Sequence, residues 1–198
     1  MCIRDRPQVK GERNTVSHLY LRFISAVHRT EDGLAAGIEW LIRDDAGGIT
    51  GSGVTDERGL GEIVDAAAFA DPSRVTVIVP ADTALLIRCE VPGRNASQIR
   101  RALPFAVEEY LTEDVETMHI ASGTIVRGEP VDCIVVPSSL MRDWSEFLAQ
   151  YDITPGFMTV DGALLPAADS DVAVLDEGDT VLVRAEGQLA SIDRASLE

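Results

Sequence analysis

Lysine is almost missing from this chain. Of its 17 basic residues only Lys10 is not an arginine, and 33 acidic residues set a formal charge of −16. Nucleic-acid binding needs clustered basic side chains that displace counterions, and a surface this acidic repels phosphate. The balance suits solubility and basic protein partners better than DNA or RNA. Cysteine is scarce too. Cys2, Cys89 and Cys133 are odd in number and far apart, which excludes a disulfide framework and a zinc-ligand spacing. A reducing compartment follows. Cys89 and Cys133 lie in apolar stretches and are expected to be small buried hydrophobes. His18, His28 and His119 stand apart from the cysteines and from one another, so no metal site is expected.

Long apolar runs are also absent. Nothing approaches the roughly 20 residues that cross a bilayer as a helix, so no membrane span is expected in this stretch. Residues 1–14 are polar and charged, unlike a signal peptide. They have no periodicity, and residues 1–15 are expected to be disordered or foreign to the folded part. Catalytic motifs are missing as well. No dinucleotide fingerprint occurs. Gly51-Ser52-Gly53 is not the Gly-x-Ser-x-Gly of a nucleophile elbow and reads as strand with small residues. The acid pairs Asp44-Asp45 and Glu108-Glu109 read as solvated.

Enough apolar sequence is present to bury a core, at 45% hydrophobic residues. Residues 95–111 organise the rest. Ile99, Ala102, Leu103, Ala106, Val107, Tyr110 and Leu111 recur at i, i+3, i+4 and i+7, which predicts an amphipathic helix. Asn95 and Gln98 are spaced as a capping box. Arg100 and Arg101 near its start and Glu108 and Glu109 near its end oppose the macrodipole, at about 0.3–1 kcal/mol each. Pro104 should kink the helix and free the carbonyl of Arg100. Phe105 faces outward with the charges.

Around this helix the pattern switches between strand and helix. Residues 16–25, 34–44 and 49–54 read as an antiparallel meander, with a turn at 44–48. Residues 60–69 have helical spacing and stop at Asp71-Pro72-Ser73. Residues 75–79 are a nearly unbroken apolar run, as in a strand covered on both faces. A strand over 83–91 leads into the organising helix. Strands at 119–126 and 131–136 follow. Then come a helix over 138–151 capped by Ser138 or Ser139, a strand at 157–160 and a short helix from 161. After a polar linker at 166–170 the text changes to three short strands, 172–175, 180–185 and 188–192. No helix follows to cover them, and an open sheet edge is a liability. A second subdomain is therefore expected to be cut short.

The class is α/β, and the element order is ribonuclease H-like and begun twice, the actin-like arrangement. Residues 16–166 make a first, near-complete subdomain, and 171–198 begin a second, truncated one. A narrower likeness rests on three stretches. One is Val75-Thr76-Val77-Ile78-Val79-Pro80 with Leu85-Leu86-Ile87-Arg88-Cys89-Glu90-Val91-Pro92. Another is Leu103-Pro104-Phe105-Ala106-Val107-Glu108-Glu109-Tyr110-Leu111 with Glu116-Thr117-Met118-His119. The third is Asp176-Glu177-Gly178 before Leu182-Val183-Arg184. These resemble the cytoplasmic domain of type II secretion system protein L. The resemblance runs from residue 16 to the end, and 75–119 is its distinctive part. It implies an actin-like domain at the cytoplasmic face of a bacterial inner membrane, with the family's single transmembrane helix and periplasmic domain further on. It also implies a scaffold, not an enzyme, which recruits the secretion ATPase, protein E, and pairs with protein M and other platform proteins. A homodimer stays open.

Two alternatives differ in chemistry: an ATP-binding type IV pilus assembly protein of actin-like fold, or an active actin-like ATPase. An actin-like ATPase needs a Gly-containing turn and an Asp after the first strand, for phosphate and magnesium. The first strand reads Leu19-Tyr20-Leu21-Arg22-Phe23, with neither. Asp176-Glu177-Gly178-Asp179-Thr180 offers one such turn in the second meander, or a plain hairpin. A ribonuclease H-type nuclease needs several clustered carboxylates; Glu39 lies on the second strand, but the first carries no acid. No catalytic residue, metal ligand or cofactor is therefore expected. The candidate partner surface is Phe105, with Glu108 and Glu109 one turn on, then Asp114 and Glu116. An aromatic anchor rimmed by charge concentrates interface energy. The competing account packs this face against the second subdomain.

Overall fold

Leu19, Leu21 and Phe23 alternate with His18, Tyr20 and Arg22, and a period of two sends the apolar set to one face. In the computed structural model these residues form β1 (Ser17–Phe23), with the apolar set buried. The structure describes residues 17–24, 28–30, 33–35, 37–63, 69, 71–166, 172–185 and 188–196. The expectation for residues 1–15 lies outside them. A small ribbon of β2 (His28–Thr30) and β3 (Gly33–Ala35) comes next, then β4 (Ile38–Asp44) and β5 (Ile49–Thr55). The expected strand over 34–44 is thus two strands, because Gly33–Ala35 folds back on His28–Thr30 instead of running on. The helix α1 (Glu57–Ile63) follows and places Leu60 in the core. The expected extension of this helix to residue 69 falls largely outside the described residues.

Beyond β6 (Val75–Val79) the chain makes a short 3-10 turn, Ala81–Thr83, before β7 (Leu85–Cys89). The expected strand from 83 therefore starts later. The organising helix α2 (Ala96–Glu108) continues through Pro104. Asn95 Oδ1 accepts the Gln98 N–H at 3.0 Å, a cap worth about 1 kcal/mol. Gln98 Oε1 accepts the Arg94 N–H at 2.9 Å, one residue before the donor a capping box would use. Then come β8 (Met118–Ser122) and β9 (Val131–Pro137), the first shorter than expected, and α3 (Ser138–Ala149). Neither Ser138 nor Ser139 caps α3. Pro137 occupies the cap position and has no side-chain acceptor. Last before the break at residues 167–171 come β10 (Phe157–Val160) and a 3-10 turn, Asp161–Leu164.

One sheet has the order β10-β6-β1-β4-β5. β1 pairs antiparallel with β4 and parallel with β6, and β6 pairs parallel with β10. Leu21 faces Trp40 on one side and Val77 on the other, so a single apolar row crosses the sheet. Trp144, Phe147 and Leu148 of α3 cover this row and are fully buried. Each such side chain contributes roughly 1.5–3 kcal/mol by leaving water. Gly51 and Gly53 also have a packing reason. A Cβ on either would come 3.0–3.1 Å from the Trp40 ring, so the glycines make room for the indole.

α2 has its own partner. It lies on a second sheet, β7-β9-β8, around Ile99, Leu103, Val107, Val131 and Val135. Cys89 and Cys133 are buried in the same cluster, as expected of small hydrophobes. Burial pushes both thiols up, Cys133 to about 12, so neither is poised as a nucleophile.

The second meander is β11 (Ala173–Asp176), β12 (Thr180–Ala185) and β13 (Gln188–Asp193), a separate antiparallel sheet. Arg184 Nη1 clips it to the turn after β10 by donating to the carbonyls of Ala163 at 2.6 Å and Leu165 at 2.8 Å. Val181 and Leu182 are buried, but Val172 and Val174 are 63% and 59% exposed. Local opening follows thin burial. Hydrogen exchange is expected to reach Val181 well before Val77: both lie on central strands, but the strands beside Val181 are mostly exposed, whereas Val77 is fully buried between Leu21 and Met158. Equal protection at these two amides would contradict this.

Candidate functional site

Three parallel strands, β1, β6 and β10, end side by side. Open α/β sheets bind ligands just outside such carboxyl ends. Arg22 is the next-to-last residue of β1, Ala81 lies two residues past β6, and Asp161 directly follows β10. Asp161 is only 7% exposed, and its carboxylate is fully engaged. Oδ1 accepts the N–H groups of Ala81 at 2.9 Å and Gly162 at 2.7 Å. Oδ2 accepts from Arg22 Nη2 at 2.9 Å. Glu39 is the cross-strand partner of Arg22 on β4, and its Oε2 accepts from Arg22 Nη1 at 3.0 Å. Arg22 Nη2 also donates to Glu177 Oε1, which reaches in from the turn between β11 and β12.

Burial alone pulls the Arg22 guanidinium down. Hydrogen bonds to Asp161, Glu39 and Glu177 outweigh that and hold its pKa above the ordinary arginine value. One cation against three carboxylates leaves the strand ends net negative. An anion there would need free backbone N–H groups, but those of Ala81 and Gly162 already bind Asp161. The arrangement disfavours phosphate and ties the first sheet to the second meander.

The turn at residues 176–180 is a hairpin. The Glu177 N–H donates to the Thr180 carbonyl at 2.9 Å, and the Gly178 N–H to Asp176 Oδ1 at 3.0 Å. Gly178 has φ +88°, which costs glycine little. Arg194 pairs with Asp176, and with the Gly178 N–H it holds that carboxyl below the usual range.

Phe105 is 72% exposed on α2, so the described residues leave it uncovered. Glu108 and Glu109 are exposed on the same helix end, and Asp114 and Glu116 in the turn that lies against it. Asp114 has a local task as well: its Oδ1 accepts the Glu116 N–H at 2.9 Å. Tyr110 differs from expectation. The helical spacing puts it on the buried stripe, yet it is 53% exposed, because α2 ends at Glu108 and the turn swings it outward. Sequence reasoning missed Asp161. Its one signal is position, a lone acid directly after an apolar strand in an α/β order.

These features define a class: a ribonuclease H-like domain continued into a second meander, an actin-like fold, with its strand-end crevice filled by its own side chains. The family model for type II secretion system protein L matches residues 27–197, and the chain belongs to that family. Protein L of Pseudomonas aeruginosa is 32% identical over 111 residues, 56% of this chain and 28% of that protein. The match thus spans less than a third of that relative. The cytoplasmic domain of EpsL, an inner-membrane component of the type II secretion system of Vibrio cholerae, aligns with a TM-score of 0.70 at 23% identity. It covers 91% of this chain and 73% of that one. A chain of the PilM–PilN type IV pilus biogenesis complex aligns at 0.59 and 15% identity, covering 89% and 61%. These two likenesses are of fold. Among the described residues no helix is long and apolar enough to cross a membrane.

Proposed function

We propose that this chain works at the cytoplasmic face of the bacterial inner membrane as a non-catalytic scaffold of the secretion platform, and that it recruits the secretion ATPase through α2. Protein M and other platform proteins are the remaining partners in this reading. Membership of the protein L family supports the platform role. The observation that carries the docking role is Phe105, a large aromatic side chain left 72% exposed beside Glu108 and Glu109. Few side chains dominate small interfaces, and an aromatic anchor is worth about 2 kcal/mol or more. Acidic neighbours speed docking onto a basic patch and make it salt-sensitive. Phe105→Ser, and separately the pair Glu108→Arg with Glu109→Arg, are expected to weaken ATPase binding about tenfold or more with an unchanged thermal midpoint. Unchanged binding in both variants would retire the docking role. A lowered midpoint in Phe105→Ser would favour the packing account instead.

The Arg22 network supports the non-catalytic half, since a nucleotide phosphate would have to displace Asp161 and face three carboxylates. A ligand that binds only the native state raises stability by mass action. Millimolar magnesium ATP is therefore expected to leave the thermal midpoint unmoved and to release no phosphate. A raised midpoint, or phosphate release lost on Asp176→Ala, would revive the ATPase alternative.

A further inference from the structure

The sheet β7-β9-β8 has two faces. Ile87, Cys133 and Val135 point to α2, so Leu86 and Ile134 point the other way, toward the main core. Between that second face and β10 the packing does not close. A cavity of about 200 Å³ lies there, walled by Leu86, Ile134, Phe157 and Met158, with Arg184 of β12 beside them. A smaller cavity of about 100 Å³ shares Ala121, Ile134, Met158 and Thr159 with it and reaches Trp144. Close-packed interiors hold few voids larger than a water molecule, so this gap is large. Two charged side chains line it, Arg184 and Asp132. Asp132 is 69% exposed and is answered by Arg88 at 3.6 Å. Arg184 is not answered. Its Nη1 donates to two neutral carbonyls, those of Ala163 and Leu165. Its Nε is buried without a hydrogen-bond partner, and no carboxylate among the described residues pairs with the guanidinium. Charges taken out of water are normally paired, so this wall presents a cation that lacks its anion.

We propose that this cavity binds a short alkyl carboxylate, with the carboxylate on Arg184 and the tail between β9 and β10. The chemistry comes from the walls. One unanswered cation suits a single negative charge, and a phosphate dianion would leave surplus charge beside Asp132. A planar guanidinium matches a planar carboxylate. The apolar walls take the tail, as in most small-molecule sites, where few polar groups fix orientation. The larger cavity has the volume of about six waters and the smaller adds about three, which fits an acid of about four to six carbons. A free acid and the C-terminus of a peptide with an apolar last residue share this chemistry. The site is separate from α2 and from Arg22 and does not rest on the docking role.

The test uses the whole chain with hexanoate, butanoate and hexanamide. At about ten times its Kd, hexanoate is expected to raise the thermal midpoint by about 3–6 °C. Butanoate has two fewer methylenes and should bind about tenfold more weakly. Hexanamide keeps the tail without the charge and is expected to leave the midpoint unmoved. Nuclear Overhauser contacts from the hexanoate methyl group should reach Ile134 and Met158. Arg184→Gln should abolish binding, but it also removes the bonds to Ala163 and Leu165. Ala121→Leu leaves Arg184 in place and adds bulk at an exposed position on a wall common to both cavities. It should weaken hexanoate about tenfold with an unchanged midpoint for the free protein. The tripeptide Ser-Ser-Leu, as free acid and as amide, separates the sources. Tighter binding of its acid than of hexanoate identifies a peptide C-terminus, and weaker binding a free acid. No binding at tens of millimolar hexanoate or tripeptide acid would overturn the proposal. Equal binding of hexanamide would overturn the role of Arg184. Unchanged hexanoate binding in Ala121→Leu, with contacts away from Ile134 and Met158, would overturn the location.

Discussion

Arg22→Ala is expected to lower stability by about 2–4 kcal/mol, the largest effect of any single charged side chain among the described residues. Removing one partner of a buried ion pair costs about 3–5 kcal/mol, whereas exposed pairs are worth about 0–1. Arg22 is 23% exposed and Asp161 7%, so this pair lies near the buried end of that range. The loss leaves Asp161, Glu39 and Glu177 facing one another without a cation. Arg22→Lys should recover only part, because an ammonium cannot present two forked nitrogens to three carboxylates. A double-mutant cycle separates the pair from its surroundings. Asp161→Asn keeps the acceptor for Ala81 and removes the charge, so its cost should shrink once Arg22 is already alanine. Denaturant titration of the four proteins checks this. Additive losses would mean that Arg22 and Asp161 act independently.

Trp144→Ala is expected to cost about 3–5 kcal/mol, because a fully buried indole leaves a large cavity beneath the sheet. The partner to test is Trp144→Phe, and the expected result there is much milder. The indole Nε1 is buried and has no hydrogen-bond partner among the described residues. An unsatisfied buried donor costs about 1–3 kcal/mol, and phenylalanine removes it while keeping most of the packing volume. The two substitutions should therefore differ by several-fold in their effect on the unfolding midpoint. Similar losses in both would show that packing volume does not set the cost at this site.

Periodicity exposed most of the architecture, since burying one face leaves a repeat that composition alone cannot hide. The rows Leu19-Leu21-Phe23 and Ile99-Leu103-Val107 were visible for that reason. Boundaries depend on what happens at single residues. Pro137 takes the place where a serine cap was expected, and the ribbon of β2 and β3 interrupts what reads as one long strand. Tyr110 satisfies the helical spacing but lies two residues past the end of α2, where its N–H bonds the carbonyl three residues back, at Val107, instead of four. The strand-end network was legible only in outline. Arg22 could be seen to occupy the place of a phosphate-binding turn, but nothing local to it indicates which carboxylates it meets. Asp161 and Glu177 reach it through the order of the strands, and that order is a property of the whole chain. The exposure of Phe105 was readable from its place opposite the apolar stripe, but whether a second subdomain covers it was not.

Arg22 is separated from Glu39 by 17 residues, from Asp161 by 139 and from Glu177 by 155. Chains emerge from the ribosome at about 5–20 residues per second, so Asp161 arrives roughly 7–28 s after Arg22. Throughout that interval the guanidinium has Glu39 as its sole partner of the three. The last carboxylate to arrive belongs to a different sheet from the first. A nascent chain therefore carries Arg22 with one of its three carboxylate contacts until Asp161 and then the second meander have been made. The network records the completion of synthesis past residue 177 in the environment of a side chain made near the beginning.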